Sequence, residues 1–306
     1  MTTTLRLAAI QMKYAGSPKA SLAHALEMLG DAAAKGANVA CLPELFLTDY
    51  FCQGLDSSRF DLAEPVDGAT TQALAGLAKK TGMVIINSIF EKAAEGLYYN
   101  TAVVIEKDGA IAGIYRKMHI PHDPLFEEKY YFTPGDLGFK AHATSAGKLG
   151  TLICWDQWYP EGARLTAMQG AHTLFYPTAI GWHPSEKAEW GDSQVDSWIT
   201  IQRAHAIANG VFVCAVNRIG HEVPPLTSPP QAGGIQGGHG DGLTFFGNSF
   251  ICDPYGRMLA HASHDKEEVL IAEADLSLVE HKRRNWPFFR DRRVDAYGDL
   301  TKRFGA

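Results

Sequence analysis

The sequence lacks any apolar run long enough to cross a bilayer, and it is poor in cysteine. A transmembrane helix needs about 20 consecutive apolar residues, and the start MTTTLRLAAIQMKY also lacks the basic and apolar regions of a secretory signal. We therefore expect a cytoplasmic protein with no membrane partner. The five cysteines are odd in number and widely spaced in a chain of 306 residues, which predicts free thiols rather than disulfides.

Signatures of metal and phosphate binding are also missing. No C-x-x-C pair occurs, and His119 and His122 have the wrong spacing for an HExxH zinc site. The glycines of residues 224–242 neither follow a predicted strand nor begin a predicted helix, as a phosphate-binding loop requires, so we expect an ordinary loop there. These absences predict no metal and no cofactor. The net charge of −6 argues weakly against nucleic acid and mildly favours a cationic small ligand.

The hydrophobic pattern predicts one order of elements twice along the chain. The first half is predicted to contain strand 5–12, helix 17–36, strand 38–45, helix 69–82, strand 83–90 and a hairpin over 98–117. The second half is predicted to contain strand 149–155, helix 160–170, strand 172–177, helix 194–209, strand 210–217 and a hairpin over 245–262. Residues 119–140, between the halves, are predicted to form a long ordered loop.

Two matching halves of this kind predict an α/β fold with four layers. Each half offers a mixed sheet with helices for only one face, so the two sheets are best buried by packing face to face. We therefore expect an α-β-β-α sandwich of two mixed sheets. A doubly wound single sheet is the alternative, but the antiparallel hairpins argue against it.

Cys154 lies between a predicted strand and a predicted helix, in the segment GTLICWDQWYPEGAR. A thiol at such a turn is exposed above the sheet, and the helix N-terminus favours its thiolate, as a nucleophile requires. A cysteine in an apolar run is more often structural, as we expect for Cys41, Cys214 and Cys252. A phosphatase loop is excluded because the next arginine is Arg164, and the local signature of papain-like enzymes is absent.

Two charged residues follow other predicted strands. Glu44 lies in CLPELF, and Lys117 lies in GIYRKMHIP at the end of the first hairpin. Burying a glutamate after an apolar strand is costly unless it has a task, although each of these charges taken alone is more often on the surface. Their occurrence with Cys154 at matching strand ends favours a shared site.

The segments PELF, YRKMHIP and ICWDQWYPE, in that order, resemble the glutamate, lysine and cysteine motifs of the nitrilase superfamily of carbon-nitrogen hydrolases. The similarity extends over nearly the whole chain and implies a single hydrolase domain over residues 1–306. It implies that Glu44 is the general base, Lys117 the oxyanion stabiliser and Cys154 the nucleophile, without a cofactor.

The resemblance also implies two further participants. The backbone N–H of Trp155 is the expected second donor to the oxyanion. A second glutamate of the superfamily maps onto Glu128 in FEEKYYFTPG, with the adjacent Glu127 as the alternative.

Within the superfamily, the segments ICWDQWYPEGAR, LFYPTAIG, NRIG, FFGNSFI and RDRR most strongly resemble enzymes that hydrolyse N-carbamoylputrescine. This implies that a ureido group is cleaved through a carbamoyl group bound to Cys154, giving putrescine, carbon dioxide and ammonia. Hydrolysis of another carbamoyl amine, amide, nitrile or carbamoyl amino acid is the alternative, and a noncatalytic scaffold is a third hypothesis. Related hydrolases of carbamoyl amino acids carry an arginine where this chain has Gln157 and Trp158, which favours a substrate without a carboxylate.

A cationic substrate needs acids and aromatic rings near the nucleophile. The segment GWHPSEKAEWGDSQVD, after the strand that ends near Tyr176, offers Glu186, Asp192 and Trp182. Tyr50 in TDYFCQ is expected to line the same pocket.

The tail from about residue 281 to 306 contains HKRRNWPFFRDRR, which is basic and aromatic and by itself suggests nucleic acid. Asp291 and Asp295 interleave with its basic residues and the whole chain is acidic, so we expect no nucleic-acid partner. In related hydrolases such segments cross to a partner subunit. We therefore expect an interface tail and a homo-oligomer, at least a dimer.

Overall fold

The computed structural model describes residues 4–224 and 241–305, so most of the predicted loop at 224–242 lies outside the described residues. The elements up to the first hairpin are β1 (Thr4–Gln11), α1 (Pro18–Ala34), β2 (Val39–Cys41), α2 (Ala69–Thr81), β3 (Val84–Ala94), β4 (Leu97–Ile105) and β5 (Ile111–Arg116). The elements that follow are α3 (Glu128–Tyr131), β6 (Ala141–Thr144), β7 (Gly147–Thr151), α4 (Pro160–Met168), β8 (Thr173–Thr178), β9 (Gly181–Trp182), α5 (Lys187–Asn209), β10 (Phe212–Asn217), β11 (Ile219–Glu222), β12 (Leu243–Phe246), β13 (Phe250–Cys252), β14 (Met258–His261), β15 (Glu268–Asp275) and α6 (Ser277–Asn285).

The two halves form two six-stranded sheets of the same kind. The first has the order β15-β1-β2-β3-β4-β5, with β1, β2 and β3 parallel. The second has the order β14-β13-β10-β8-β7-β6, with β7, β8 and β10 parallel. In both sheets the remaining strands are antiparallel to their neighbours, as the predicted hairpins require. A small third sheet joins β11, β12 and β9.

The alternation of side chains along the strands produces the layers. On β1, Leu7 points into a core shared with Phe175 and Cys214 of the second sheet, so the two sheets pack face to face. The neighbouring Ala8 and Ile10 point the other way, into a core with α1 and α2. The outer face of the second sheet packs in the same way against α4 and α5. The predicted four-layer α-β-β-α sandwich is confirmed.

Local sequence signals account for the first helix. Ser17 caps α1 by accepting a hydrogen bond from the N–H of Ala20 at 3.2 Å, and Pro18 occupies the first helical position. The observed helix ends two residues before the predicted limit.

Three predicted elements differ from the structure. The strand predicted over 38–45 is limited to β2, and the chain after it turns through Leu45, whose φ is +47°. The strand predicted over 149–155 ends with β7, and Cys154–Trp158 form a short 3-10 helix. The helix predicted from residue 194 begins earlier, at Lys187. The strand β15 was not predicted, although EVLIAEAD carries an alternating pattern.

No helix within residues 4–224 and 241–305 is both long and apolar enough to span a bilayer.

Candidate active site

The side chains of Glu44, Lys117, Glu128 and Cys154 meet at one place between the sheets. Glu44 follows β2, Lys117 follows β5, Glu128 begins α3 and Cys154 follows β7. The first three side chains are fully buried, and Cys154 is 4% exposed. A group of ionisable residues this deep in a protein is costly unless the charges are paired, and it is typical of a functional site.

Lys117 pairs with both carboxylates. Its Nζ lies 2.7 Å from Oε1 of Glu44 and 2.6 Å from Oε2 of Glu128. Burial opposes the charge of Lys117, but the carboxylates of Glu128 and Glu44 outweigh it and hold the pKa of Lys117 well above its ordinary value. Lys117 is therefore an ammonium group, which can stabilise a negative oxygen beside it.

Glu44 is oriented by donors from three directions. Its Oε1 accepts from Nδ2 of Asn100 at 2.7 Å as well as from Lys117, and its Oε2 accepts from the N–H of Ala179 at 2.9 Å. These donors hold the carboxyl group in one orientation within the buried cluster.

Glu128 is held by Lys117 on one oxygen and by Tyr50 on the other. The hydroxyl of Tyr50 donates to Oε1 of Glu128 at 2.6 Å. Burial raises the pKa of Glu128 to about 7, with support from the charge of Glu44 and against the opposing effect of Lys117. The adjacent Glu127 points elsewhere and pairs with His122 at 3.0 Å, so the geometry selects Glu128 from the two alternatives.

The environment of Cys154 differs from the sequence-based expectation. The residue is buried rather than exposed, and burial together with the charge of Glu44 raises the pKa of its thiol well above the ordinary value, although Lys117 opposes this. Its Sγ lies 3.9 Å from the carbonyl oxygen of Ala179. The expectation of a thiolate favoured by the helix N-terminus is wrong. A protonated thiol at this position needs a base, and the side chains gathered around it include Glu44.

Asp156 holds the turn that carries Cys154. Cys154 has a φ of +43°, a backbone conformation that is strained for a residue with a side chain. The buried carboxylate of Asp156 accepts from the N–H of Ile153 at 2.9 Å, from the hydroxyl of Tyr115 at 2.8 Å and from the N–H of His119 at 3.0 Å. These bonds connect the turn that contains Cys154 to the segment that carries Lys117, and they explain why the strand ends early.

The residues expected to bind substrate lie in different surroundings. Trp155 directly follows Cys154 and is half-buried, with its ring centroid 6.5 Å from that of Trp158. The ring of Tyr50 is buried and its hydroxyl is committed to Glu128, so Tyr50 supports the buried cluster. Trp182 is half-buried, three residues after Ala179, and the ammonium of Lys187 lies 4.4 Å from the centroid of its ring.

The two candidate acids are on the surface. Glu186 and Asp192 are both exposed, near the start of α5. Glu186 accepts from the side-chain amide of Gln194 at 2.8 Å. The hydrogen bonds among the described residues do not link either acid to the buried cluster.

Several residues of this site were not identified from the sequence. They are Ser88, Asn100, Asp156 and Ala179. A signal for Asn100 was available, because the segment YYNTAVVI places a side-chain amide in a mostly apolar strand. Ala179 acts through its backbone, which no side-chain pattern reveals.

The other thiols are also buried, and all five cysteines are free. In residues 4–224 and 241–305, no group of three or more His, Cys, Asp or Glu side chains is arranged to hold a metal ion.

The chain is similar to known proteins in sequence and in structure. The sequence profile of the family described as "Carbon-nitrogen hydrolase" matches residues 6–284. The N-carbamoylputrescine amidase of Solanum lycopersicum is 42% identical, covering 95% of this chain and 93% of that protein. The citrullinase of Francisella tularensis is 36% identical, covering 98% of this chain and 99% of that protein.

The solved structures include a near relative. The crystal structure of a carbon-nitrogen hydrolase from Helicobacter pylori G27 has a TM-score of 0.91 and 48% sequence identity, and the alignment covers 99% of this chain and 100% of that one. With the family profile spanning most of the sequence, this likeness shows that the chain belongs to the carbon-nitrogen hydrolases of the nitrilase superfamily and is an enzyme that hydrolyses carbon–nitrogen bonds.

Proposed function

We propose that this enzyme removes the carbamoyl group from N-carbamoylputrescine, through a covalent intermediate on Cys154. The observation that carries the proposal is the buried cluster in which Glu44, Lys117 and Glu128 surround an uncharged thiol. Such a cluster suits nucleophilic attack on a carbonyl carbon. Relatives named for N-carbamoylputrescine at 42% identity over 95% of the chain support the substrate.

In the first step Glu44 takes the proton of the Cys154 thiol as Sγ bonds to the ureido carbon. The carbonyl electron pair moves onto oxygen, and the Lys117 ammonium and the Trp155 N–H stabilise the resulting charge. Glu44 then gives the proton to the leaving nitrogen as the carbon–nitrogen bond breaks. With the amine as leaving group, the carbamoyl group remains on Cys154.

In the second step water releases the carbamoyl group. Glu44, ionised again, takes a proton from water as its oxygen attacks the thioester-type carbon. The carbon–sulfur bond breaks and the thiol is restored. The carbamic acid that leaves decomposes to carbon dioxide and ammonia. Glu128 keeps Lys117 in place through both steps.

The side chains after the nucleophile support a substrate without a carboxylate. Gln157 is fully buried, and its Oε1 accepts from Thr178 at 3.1 Å and from Trp198 at 2.9 Å. The buried Arg218 is already paired, with Glu222 at 3.0 Å and with the backbone carbonyls of Leu45 and Thr48. Among the described residues no hydrogen bond joins Gln157 to a guanidinium group, and a buried, unpaired carboxylate is strongly unfavourable.

A turnover screen tests this proposal. The purified enzyme is offered ureido compounds, simple amides and simple nitriles at equal concentration, and ammonia release is measured. We expect N-carbamoylputrescine to be hydrolysed fastest. Preference for a simple amide or nitrile contradicts the proposed substrate, and preference for citrulline favours a carbamoyl amino acid instead.

We further propose that the enzyme is a homo-oligomer, at least a dimer, assembled through the tail from residue 281. Trp286 is 52% exposed and Phe288 is 48% exposed, which is unusual for side chains this large. Phe289 differs, because it packs against its own chain beneath the guanidinium groups of Arg283 and Arg292. The partner is expected to cover Trp286 and Phe288.

Replacing Trp286 and Phe288 together with serine is expected to produce monomers, because the two substitutions remove the exposed apolar surface while leaving Phe289 in place. Sedimentation velocity measures the change. The matched control is Ile111→Ser, which removes a side chain that is 40% exposed and lies on β5, outside the tail. An unchanged oligomer in the double variant, or a wild-type monomer, rules out this role for the tail.

A further inference from the structure

The two oxygens of Glu44 are not equivalent. Oε1 accepts two hydrogen bonds, from Nδ2 of Asn100 and from Nζ of Lys117, both at 2.7 Å. Within the described residues, Oε2 accepts one, from the N–H of Ala179 at 2.9 Å. A carboxylate oxygen has two lone pairs. Oε1 is therefore filled, whereas Oε2 keeps one position for an incoming proton.

The orientation of the Asn100 amide is fixed by Ser88. The N–H of Leu45 donates to Oγ of Ser88 at 3.3 Å, and the Ser88 hydroxyl donates to Oδ1 of Asn100 at 2.9 Å. Because Oδ1 is occupied, the amino group faces Glu44. Ser88 and Asn100 are fully buried, so water does not compete for these bonds.

The backbone of Ala179 links Oε2 of Glu44 to the thiol of Cys154. Its N–H contacts Oε2 of Glu44, and its carbonyl oxygen lies 3.9 Å from Sγ of Cys154. Asn100 also contacts the backbone of Lys117, because its carbonyl oxygen accepts from the N–H of Lys117 at 2.9 Å. Asn100 therefore contacts both the carboxyl group of Glu44 and the backbone of the residue that carries the ammonium group.

We propose that Asn100, locked by Ser88, is a positioning residue that fills Oε1 of Glu44 and reserves Oε2 as the atom that accepts and returns the catalytic proton. In acylation the S–H bond breaks, its proton goes to Oε2, and Sγ bonds to the carbonyl carbon as the electron pair moves onto oxygen. The same proton then leaves Oε2 for the departing nitrogen. This inference rests on the proposed role of Glu44 as base, but not on the identity of the substrate.

Loss of Asn100 has two expected consequences. Oε1 gains an open position, so the catalytic proton is no longer confined to Oε2. The buried carboxylate group also loses a hydrogen-bond donor, and we expect the acid limb of the pH profile of kcat/KM to move upward.

The test uses Asn100→Leu, which has a similar volume but no donor, and Ser88→Ala, which removes only the lock. For Asn100→Leu we expect kcat to fall about 10²-fold, at the low end of what a positioned base contributes, with little change in KM. We expect its acid limb to lie at a higher pH than that of the wild-type enzyme. Ser88→Ala should lower kcat and raise the pH of the acid limb as well, but by smaller amounts.

The matched control is Asn87→Leu. Asn87 is also fully buried on β3, and its side-chain amide has no partner among the described residues. This variant is expected to keep the wild-type acid limb. Each measurement uses a substrate that the wild-type enzyme hydrolyses, so an error in the proposed substrate is seen with the wild type alone.

The proposal is overturned if Asn100→Leu lowers kcat equally at every pH and its acid limb does not move. Asn100 then has only a structural role. The same shift in Asn87→Leu also overturns it. If Asn100→Leu does not fold, Ser88→Ala provides the test. An unshifted acid limb of kcat/KM in folded Ser88→Ala contradicts the proposed role of the Ser88–Asn100 hydrogen bond.

Discussion

Turnover is expected to fall by at least ~10⁴-fold when Cys154 is replaced with alanine, because the covalent route is lost and only binding and the oxyanion donors remain. The rate of ammonia release under saturating substrate measures this. The matched control is Cys252→Ala, which removes a buried thiol from the same apolar cluster without touching the charged residues. A Cys154→Ala enzyme that retains a tenth of the normal rate is incompatible with covalent catalysis.

The same experiment extends to the residues around Cys154. Glu44→Gln is expected to be nearly as inactive, and adding it to Cys154→Ala should change the residual rate little, because both groups act on one transition state. Lys117→Ala is a poorer probe, since it leaves the carboxylates of Glu44 and Glu128 buried without their cation. Removing one partner of a buried ion pair costs about 3–5 kcal/mol of folding stability, so this variant is informative only if its melting temperature is measured with its rate.

The repeated order of strands and helices in the two halves was predictable, because each strand and helix carries a local pattern. The alternation in β1 and the capping signal at Ser17 each depend on a few neighbouring residues. The early end of the strand before Cys154 was not predictable, because Asp156 is held by Tyr115 and His119 from another part of the chain. An apolar run such as LGTLICW continues as a strand unless such a long-range contact intervenes.

The candidate site could also be predicted only in part from the sequence. Glu44, Lys117 and Cys154 were identified because charged or reactive side chains at matching strand ends are conspicuous. The state of Cys154 was predicted wrongly, because a sequence does not show how deeply the turn is buried, and burial raises the pKa of the thiol. Tyr50 was expected to contact substrate, but its hydroxyl donates a hydrogen bond to Glu128. The two residues are far apart in the sequence, so no local pattern indicates this contact.

Recognition of the far amine of the substrate is expected to change kcat/KM by at least ~100-fold, the effect of a charged contact of a few kcal/mol. The comparison is between N-carbamoylputrescine and an uncharged butylurea of similar length, measured side by side. Trp182, whose ring is half-buried, follows Ala179 by three residues in the chain. The N–H of Ala179 contacts Glu44, and its carbonyl oxygen lies near Cys154. This ring already has the ammonium of Lys187 4.4 Å from its centroid, so its face accepts a cation of the kind that the substrate carries.

Charge-neutral variants identify the acid that accompanies this ring. Glu186→Gln and Asp192→Asn are compared with Glu27→Gln, an exposed acid on α1 that serves as the control. The variant that removes the partner of the amine is expected to lower kcat/KM for N-carbamoylputrescine while leaving butylurea unchanged, because only the charged substrate makes that contact. Equal values for the two substrates in the wild-type enzyme mean that the far amine is not recognised. Hydrolysis of a simple amide or nitrile then becomes the better description of the activity.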